Sequence, residues 1–524
     1  MTRRDEKMGI ARAAGLMSIA TFISRVLGYV KDMILAKFFG ATGIADTFFV
    51  AFRIPNLLRE LFAEGSMSSA FIPVLTEYQT KQGIEEARRL VRITFTFVLI
   101  FVGLICLMGI IFSPAIVTVI APGFVDMPEK FSLTVLLTRV MFPFLLFISL
   151  AALAMGALNT QRIFFIPSLA PAMLNIVIII TVLTLAPRME QPIIAVAMGV
   201  ALGGFIQFAF QLPSFFKNGY SLMIKYDFRH AGLKKMSILI MPATMGMAVA
   251  QINIFISTIL ASYLPEGSIT YLYYSMRLIQ FPIGIFGVAM GMAVLPTLSE
   301  HAVKRDFDKL SDDFSFALRL LFFITVPAMI GLIALREPIV NILFQRGEFD
   351  YTATVGTAQA LLFYSIGIWS IVGVRVVTAS FYSMQDTKTP VKVAVIALVA
   401  NVILSVILMR PLKHGGLALS NTLASCMNFT LLFFFLRKKL KRIGTERILR
   451  SFIKIVFASS IMGVIGWMLL HGELWQIHGS TLNKVFYLSG TIIICTGIYL
   501  FLSYLLKSEE VSYVIEMVKQ KFRE

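Results

Sequence analysis

Fourteen apolar runs are spaced along the 524-residue chain, each of about 20 residues, enough for a helix to cross the roughly 30 Å hydrocarbon core of a bilayer. No other feature narrows the fold so far. Backbone groups left unpaired in lipid are costly, so runs of this length fold as membrane helices. Residues are 57% hydrophobic and 15% charged, against roughly 25% charged in soluble domains. No polar stretch is long enough to form a soluble domain. The expected class is an all-α polytopic membrane protein with 14 transmembrane helices.

The cations orient it. If the N-terminus is cytoplasmic and the runs alternate, the inner segments hold Arg3, Arg4, Lys7 and Arg12, the stretch Lys81–Arg92, the stretch Lys217–Lys235, and the dense run Arg437–Lys454. The outer segments hold only Lys130, Arg188, Arg336, Arg346, Arg410, Lys413 and Lys484. Lys and Arg collect on the cytoplasmic side of membrane proteins, so both termini are expected inside. The first run follows a basic start, contains Arg25 and lacks a small-residue cleavage site, so it reads as an uncleaved helix. A net charge of +18 would suggest nucleic acid in a soluble chain. Spread over short loops it instead fits anionic lipid headgroups, and no nucleic-acid partner is expected. Cys106, Cys426 and Cys495 lie far apart within apolar runs. They read as packing residues, with no disulfide framework and no metal site.

The stretch Ser18–Pro73 departs from this pattern. It is apolar, yet it carries Arg25, Lys31, Asp32, Lys37, Asp46, Arg53, Arg59, Glu60 and Glu64. A charge at the bilayer centre costs roughly 2.5–3.5 kcal/mol on insertion scales, so these groups must face protein, water or a charged ligand. Ser18, Thr21, Arg25, Gly28 and Asp32 recur at helical spacing and form one polar face. Asp46, Arg53 and Glu60 share a face of the next helix, where Pro55 is expected to introduce a bend. The small, polar segment Glu64–Ala70 suits a helix break.

An internal repeat extends the pattern. Leu35–Arg53 aligns with Leu260–Arg277 across one gap, and Ala70-Phe-Ile-Pro-Val-Leu-Thr-Glu77 resembles Ala293-Val-Leu-Pro-Thr-Leu-Ser-Glu300 at nearly the same offset. Two parallel six-helix lobes follow, 1–218 and 219–440, with 441–524 appended. Parallel halves that move against each other about a midplane site are transporter architecture.

Two accounts of the buried charges stand side by side. Internal ion pairs such as Arg25–Asp46 and Arg59–Glu64 would satisfy part of the set. The cations outnumber the acids, however, and the second half adds Arg277. Arg and Lys clusters complement phosphate, so the ligand expected is a phosphorylated, lipid-linked anion. The sequence contains no phosphate-binding loop for nucleotide, and its histidines fall in loops or at span ends. Asp306-Phe-Asp308 has a metal-binding form used by some glycosyltransferases, but it sits among Lys304, Arg305 and Lys309 and reads as a solvated charged loop. A non-enzymatic function without cofactor is expected.

Ser24-Arg-Val-Leu-Gly-Tyr-Val-Lys-Asp32, Asp46-Thr-Phe-Phe-Val-Ala-Phe-Arg-Ile-Pro-Asn-Leu-Leu-Arg59 and Phe62-Ala-Glu-Gly-Ser-Met-Ser-Ser-Ala-Phe-Ile-Pro73 closely resemble the MurJ (MviN-type) family. Tyr273–Pro282, Phe344–Phe349 and Phe381–Pro390 match it as well. These are lipid II flippases of bacterial peptidoglycan synthesis, within the multidrug/oligosaccharidyl-lipid/polysaccharide exporter superfamily. The resemblance implies two lobes forming a V-shaped central cavity in the bacterial inner membrane, which carry lipid II outward by alternating access. By motif position Arg25, Lys31, Arg59 and Arg277 would bind the diphosphate or headgroup, with Arg53 beside them. Asp32, Asp46 and Glu64 would organise those cations and the gate. The two C-terminal helices would form a groove for the lipid tail. Lipid II and membrane lipids are the expected partners, and cell-wall synthesis machinery is a further candidate. Met276 and Gln280 stand where relatives often carry acids, and the second half offers no buried acid for sodium, so membrane potential is the expected driving term. Two rival readings are an exporter of another polyprenyl-diphosphate-linked oligosaccharide and a membrane enzyme acting on lipid-linked sugars.

Overall fold

The structure, a computed structural model, describes residues 3–60, 67–477, 482–513 and 516, with the side chains of 3–14, 67–69, 241–250 and 288–289 left aside. Regular structure among these residues is helical throughout. The chain packs as two compact units, Met1–Glu266 and Gly267–Glu524.

The first unit opens with α1 (Arg3–Phe39), α2 (Gly43–Arg59), α3 (Met67–Lys81), α4 (Ile84–Ile111) and α5 (Ser113–Ile120). It continues through α6 (Pro128–Met141), α7 (Pro143–Thr160), α8 (Phe165–Thr184), α9 (Ile193–Ala209), α10 (Leu212–Lys217) and α11 (Ala231–Ser262). Two of the fourteen apolar runs, which hydropathy places at 92–120 and 132–158, are therefore each built from two helices. Proline explains both breaks. Pro114 and Pro143 stand in the first turns of α5 and α7, where a missing N–H costs nothing, whereas inside one continuous helix each would lack its hydrogen bond. Pro55, by contrast, lies within α2, which runs on to Arg59.

The connector between α10 and α11 is strapped to α4. Arg88 Nη2 donates to the Asn218 carbonyl at 3.2 Å, Arg89 meets Asp227 at 3.2 Å, and the Lys225 N–H donates to Thr96 Oγ1 at 2.9 Å. His230 Nδ1 accepts from the Gly232 N–H at 3.1 Å, which leaves Nε2 as the donor facing Glu86 at 3.3 Å. The strap delivers α11 onto α3, α4 and α5. The approach is close: a Cβ on Gly123 would sit 2.3 Å from the Ser262 carbonyl oxygen, so only glycine fits there. The repeat groups α11 with the second lobe; by packing it lies in the first unit.

The second unit comprises α12 (Ser268–Pro282), α13 (Val288–Val303), α14 (Phe307–Ala334), α15 (Arg336–Phe344), α16 (Tyr351–Ser365) and α17 (Ile368–Ser383). It ends with α18 (Lys388–Leu412), α19 (His414–Leu440), α20 (Thr445–Leu470) and α21 (Leu482–Leu505). A π-helical turn, Ile283–Gly287, joins α12 to α13 directly after Pro282. Its elements echo the first unit. Helices begin at 84 and 307, 113 and 336, 128 and 351, and 165 and 388. α12 packs on α16 as α2 packs on α6, and α18 on α19 as α8 on α9. Even a surface ion pair recurs, Glu77–Lys81 in one unit and Glu300–Lys304 in the other.

Among the described residues, eleven helical stretches are long and apolar enough to cross a membrane. Three of the fourteen runs, which hydropathy places at 15–38, 46–77 and 237–263, fall outside that set: α1 carries Arg25, Lys31, Asp32 and Lys37 in the first, the second includes residues beyond the described ones, and the third lies within α11.

Candidate functional site

The polar face of α1 divides into two halves. Ser18, Thr21 and Arg25 are exposed, whereas Gly28 and Asp32 are buried where the helix packs on α8. Asp32 is fully buried, and its Oδ1 lies 3.1 Å from Lys31 Nζ. A buried carboxylate needs a cation or several donors at hand, and Lys31 reaches around the helix to supply one.

At the next turn of chain, Thr42 caps α2, accepting from the Ala45 N–H at 3.4 Å and donating to the Phe39 carbonyl at 2.9 Å. Asp46 follows in the first turn, where the helix dipole favours a carboxylate. It is 2% exposed. Lys130, at the start of α6, places Nζ 3.7 Å from Asp46 Oδ2, 3.8 Å from Glu266 Oε1 and 4.4 Å from the Phe124 ring centroid. One ammonium thus bridges two carboxylates over an aromatic face.

The far end of α2 holds a second polar node. Arg59 Nε donates to Asn56 Oδ1 at 3.1 Å, and Asn56 Nδ2 donates to Glu60 Oε1 at 3.0 Å. Gln251 Nε2, on α11, donates to Glu60 Oε2 at 2.6 Å, while Arg59 Nη2 stands 3.8 Å from Glu60 Oε1. Arg53 lies between the two nodes, half-buried on α2. Glu64 falls outside the described residues.

Arg277 belongs to the second unit. It is half-buried on α12, two residues beyond Ser275, whose hydroxyl donates to the Thr357 carbonyl of α16 at 2.7 Å. Tyr274 is buried against Phe344 and Phe349, with ring centroids 4.6 and 5.7 Å away.

Of the sequence candidates in the first unit, Lys31 joins Asp32, while Arg59 sits in a network with Glu60 that sequence reasoning did not assemble. The partner seen for Asp46 is Lys130, which hydropathy alone consigns to an outer loop. The signal that could have found it was modest: Lys130 follows Pro128-Glu129, a helix start, so its side chain belongs to a helix and not to a loop. Gln251 is partly buried on α11, and no local spacing pairs it with Glu60. Another cation, Arg319 of α14, meets Glu509 at 2.6 Å and Glu510 at 3.1 Å. Those acids come from beyond the last span, so counting within spans overstates the cation excess. Asp306 of the Asp-Phe-Asp motif caps α14 by accepting from the Lys309 N–H at 3.2 Å. Hydrogen bonding to Lys309 holds its carboxyl below the usual range. No cluster of three metal-ligating side chains occurs among the described residues.

Two further motifs have structural roles. Asp386 accepts from the Thr389 N–H at 3.1 Å and the Thr389 hydroxyl at 3.0 Å, at the start of α18, and pairs with Lys439 at 2.9 Å. Gln345 is fully buried, its Oε1 accepting from Asn341 at 2.8 Å and Thr354 at 2.9 Å, and its Nε2 donating to the Gln476 carbonyl at 3.1 Å.

A family model described as lipid II flippase MurJ matches residues 35–487. The probable lipid II flippase MurJ of Vibrio cholerae is 37% identical over 508 residues, covering 95% of this chain and 96% of its own length. The lipid II flippase MurJ of Burkholderia cenocepacia is 34% identical over 497 residues, covering 94% and 96%. A solved lipid II flippase MurJ in an inward closed conformation aligns with a TM-score of 0.77 at 29% identity, over 94% of this chain and 98% of that one. An inward-facing multidrug resistance MATE family transporter of the MOP superfamily shares the fold, with a TM-score of 0.66 at 16% identity and coverage of 83% and 99%. With this agreement along nearly its whole length, the chain belongs to the MurJ family of lipid II flippases.

Proposed function

We propose that this protein is a transporter that moves lipid II from the cytoplasmic to the outer leaflet of the bacterial inner membrane, and that it catalyses no covalent chemistry. The observation that carries the reading is the family match over residues 35–487, supported by relatives covered almost end to end. The 14-helix topology with both termini cytoplasmic, the lobes 1–218 and 219–440, and a tail groove from 441–524 belong to the same reading.

In it, Arg25, Lys31, Arg53 and Arg59 on the first unit and Arg277 on the second take the diphosphate and headgroup. Asp32, Asp46 and Glu64 set the orientation of those cations. The chemistry supports the assignment. A diphosphate offers many acceptors and roughly two negative charges, which guanidinium groups match through bidentate hydrogen bonds. Arg25 is exposed on a helix otherwise apolar around it, which suits a group that exchanges partners during transport.

Reconstitution in vesicles with labelled lipid II tests this. The wild type is expected to expose the label to the opposite leaflet, and the Arg25→Ala and Arg277→Ala variants to lose that activity while keeping their helical content. No translocation by the wild type, or full translocation by both variants, would sink the proposal.

A further inference from the structure

Within the second unit, a cavity of about 720 Å³ opens between four helix ends, and Arg305, Gln385, Lys439 and Lys441 line it together with Val303 and Phe307. That volume lies in the roughly 300–1,000 Å³ range of ligand pockets. We propose that this cavity is an anion site, separate from the transport residues, that holds the phosphate of an anionic membrane lipid headgroup.

The charges come first. Lys439 is engaged by Asp386, and Lys304 at the rim by Glu300. Asp306 is taken by Lys309 at 2.9 Å. Arg305 and Lys441 are exposed and make no ion pair among the described residues, so two cations at the cavity are open to an anion from outside. The Gln385 amide adds a neutral donor.

The backbone supplies an independent argument. Arg305, Gln385 and Lys441 adopt φ of 55°, 59° and 63°, the left-handed region that glycine enters freely and other residues enter under strain. The internal repeat is a control for this geometry. The corresponding turns of the first unit place positive φ at Gly83, Arg162 and Gly219. Two of the three turns thus use glycine in one unit and an unpaired cation in the other. A basic residue at a helix C-terminus offsets the helix dipole, but the first unit closes the same turns without one at those two positions. The dipole alone does not require Arg305 and Lys441.

Position identifies the ligand. The spans Ser268–Val303, Phe307–Ala334, Tyr351–Ser383 and His414–Leu440 each begin or end on a residue that lines the cavity, so it lies at the level where headgroups meet water. Val303 and Phe307 expose 82% and 45% of their surface at the rim. An apolar rim beside unpaired cations fits a ligand with a phosphate and an acyl chain better than it fits a free anion.

The test is lipid retention by the full-length purified protein, followed by native mass spectrometry and independent of transport. Wild type should retain phosphatidylglycerol over phosphatidylcholine. Arg305→Gly with Lys441→Gly should weaken retention about 25-fold, roughly fivefold per cation. Glycine suits both backbone positions, so the melting temperature should not fall, and a failure to fold is thereby separated from loss of binding. Removing two neighbouring cations outside the cavity, by Arg437→Ala with Lys438→Ala, should leave retention within about twofold, since charges in water near a surface act weakly. Unchanged retention in the glycine variant, equal loss in the control, or equal binding of phosphatidylcholine would overturn the proposal. Displacement of the lipid by millimolar inorganic phosphate would assign the site to a soluble anion and overturn the lipid.

Discussion

Gln251 on α11 donates to Glu60, the residue after α2, at 2.6 Å. This bond joins the helix that opens the second sequence repeat to the charged end of the first. Glu60 is about one-third exposed and keeps Asn56 as a second donor. Gln251→Leu should therefore cost only about 1 kcal/mol, below the roughly 1.5–3 kcal/mol of a hydrogen bond to a charged group. Denaturant unfolding in detergent of Gln251→Leu, Glu60→Gln and the double variant measures the coupling. Strictly additive losses would show that the two side chains do not interact.

Lys130 makes a larger difference. It is the ion-pair partner seen for a carboxylate that is 2% exposed, and it also reaches Glu266. Lys130→Met should destabilise by about 2 kcal/mol, less than the 3–5 kcal/mol typical of breaking a wholly buried pair because Asp46 keeps other contacts. Lys130→Arg should retain most of the stability, since the cation survives. The Lys130→Met and Asp46→Asn changes together should cost clearly less than their sum. If Lys130→Arg is as damaging as Lys130→Met, packing and not charge explains the residue.

Much of the fold was legible because hydropathy and proline report local physics. Eleven of the expected runs appear as apolar helical stretches, and the charge-bearing stretch Ser18–Pro73 is unusual on its nine charged residues, Arg25, Asp32 and Asp46 among them. The breaks at Phe112 and Phe142 followed from Pro114 and Pro143 but were not separated from continuous spans. Ion-pair partners were the least legible part. Arg319 finds Glu510 at 191 residues' separation, and Gln251 finds Glu60 at 191 as well. Such pairings depend on which helices pack together, and no local spacing encodes that. α11 shows the same limit. Its sequence places it with the second repeat, while the strap along α4 carries it into the first unit.

Asp386 should leave a pH signature. The Lys439 ammonium and the Thr389 donors hold its carboxyl down at about 2, against an ordinary value of 3.8. A depressed carboxylate stabilises the fold above its unfolded value and loses that contribution as pH falls through the folded one. Asp386→Asn should thus lower stability by about 1 kcal/mol near neutral pH, a figure discounted for the solvent exposure of both partners. The gap between wild type and variant should stay constant down to about pH 4 and close on approach to about pH 2. Thermal unfolding across that range checks it, and a gap that persists at the lowest pH would mean that the carboxylate charge is not the stabilising element.

Arg319 and Glu510 are the strongest candidate for a lock between α14 and the chain beyond α21. Arg319 is 9% and Glu510 2% exposed, and Ser451 of α20 donates to the same carboxylate at 2.9 Å. Glu509, exposed beside them, is held below the usual carboxylate range by the same guanidinium. Removing one partner strands a buried charge, at a cost of roughly 3–5 kcal/mol, whereas replacing both with apolar groups of similar size is often close to neutral. Arg319→Leu and Glu510→Leu should each lower the melting temperature, and the double variant should recover most of the loss. The recovered protein should still differ from wild type in one respect. Without the ionic tie the segment after Leu505 becomes easier to cut, so limited proteolysis should cleave it faster in the double variant at equal melting temperature. Equal cleavage rates would show that hydrophobic packing around Tyr499, whose hydroxyl donates to the Phe323 carbonyl at 2.7 Å, holds the segment by itself.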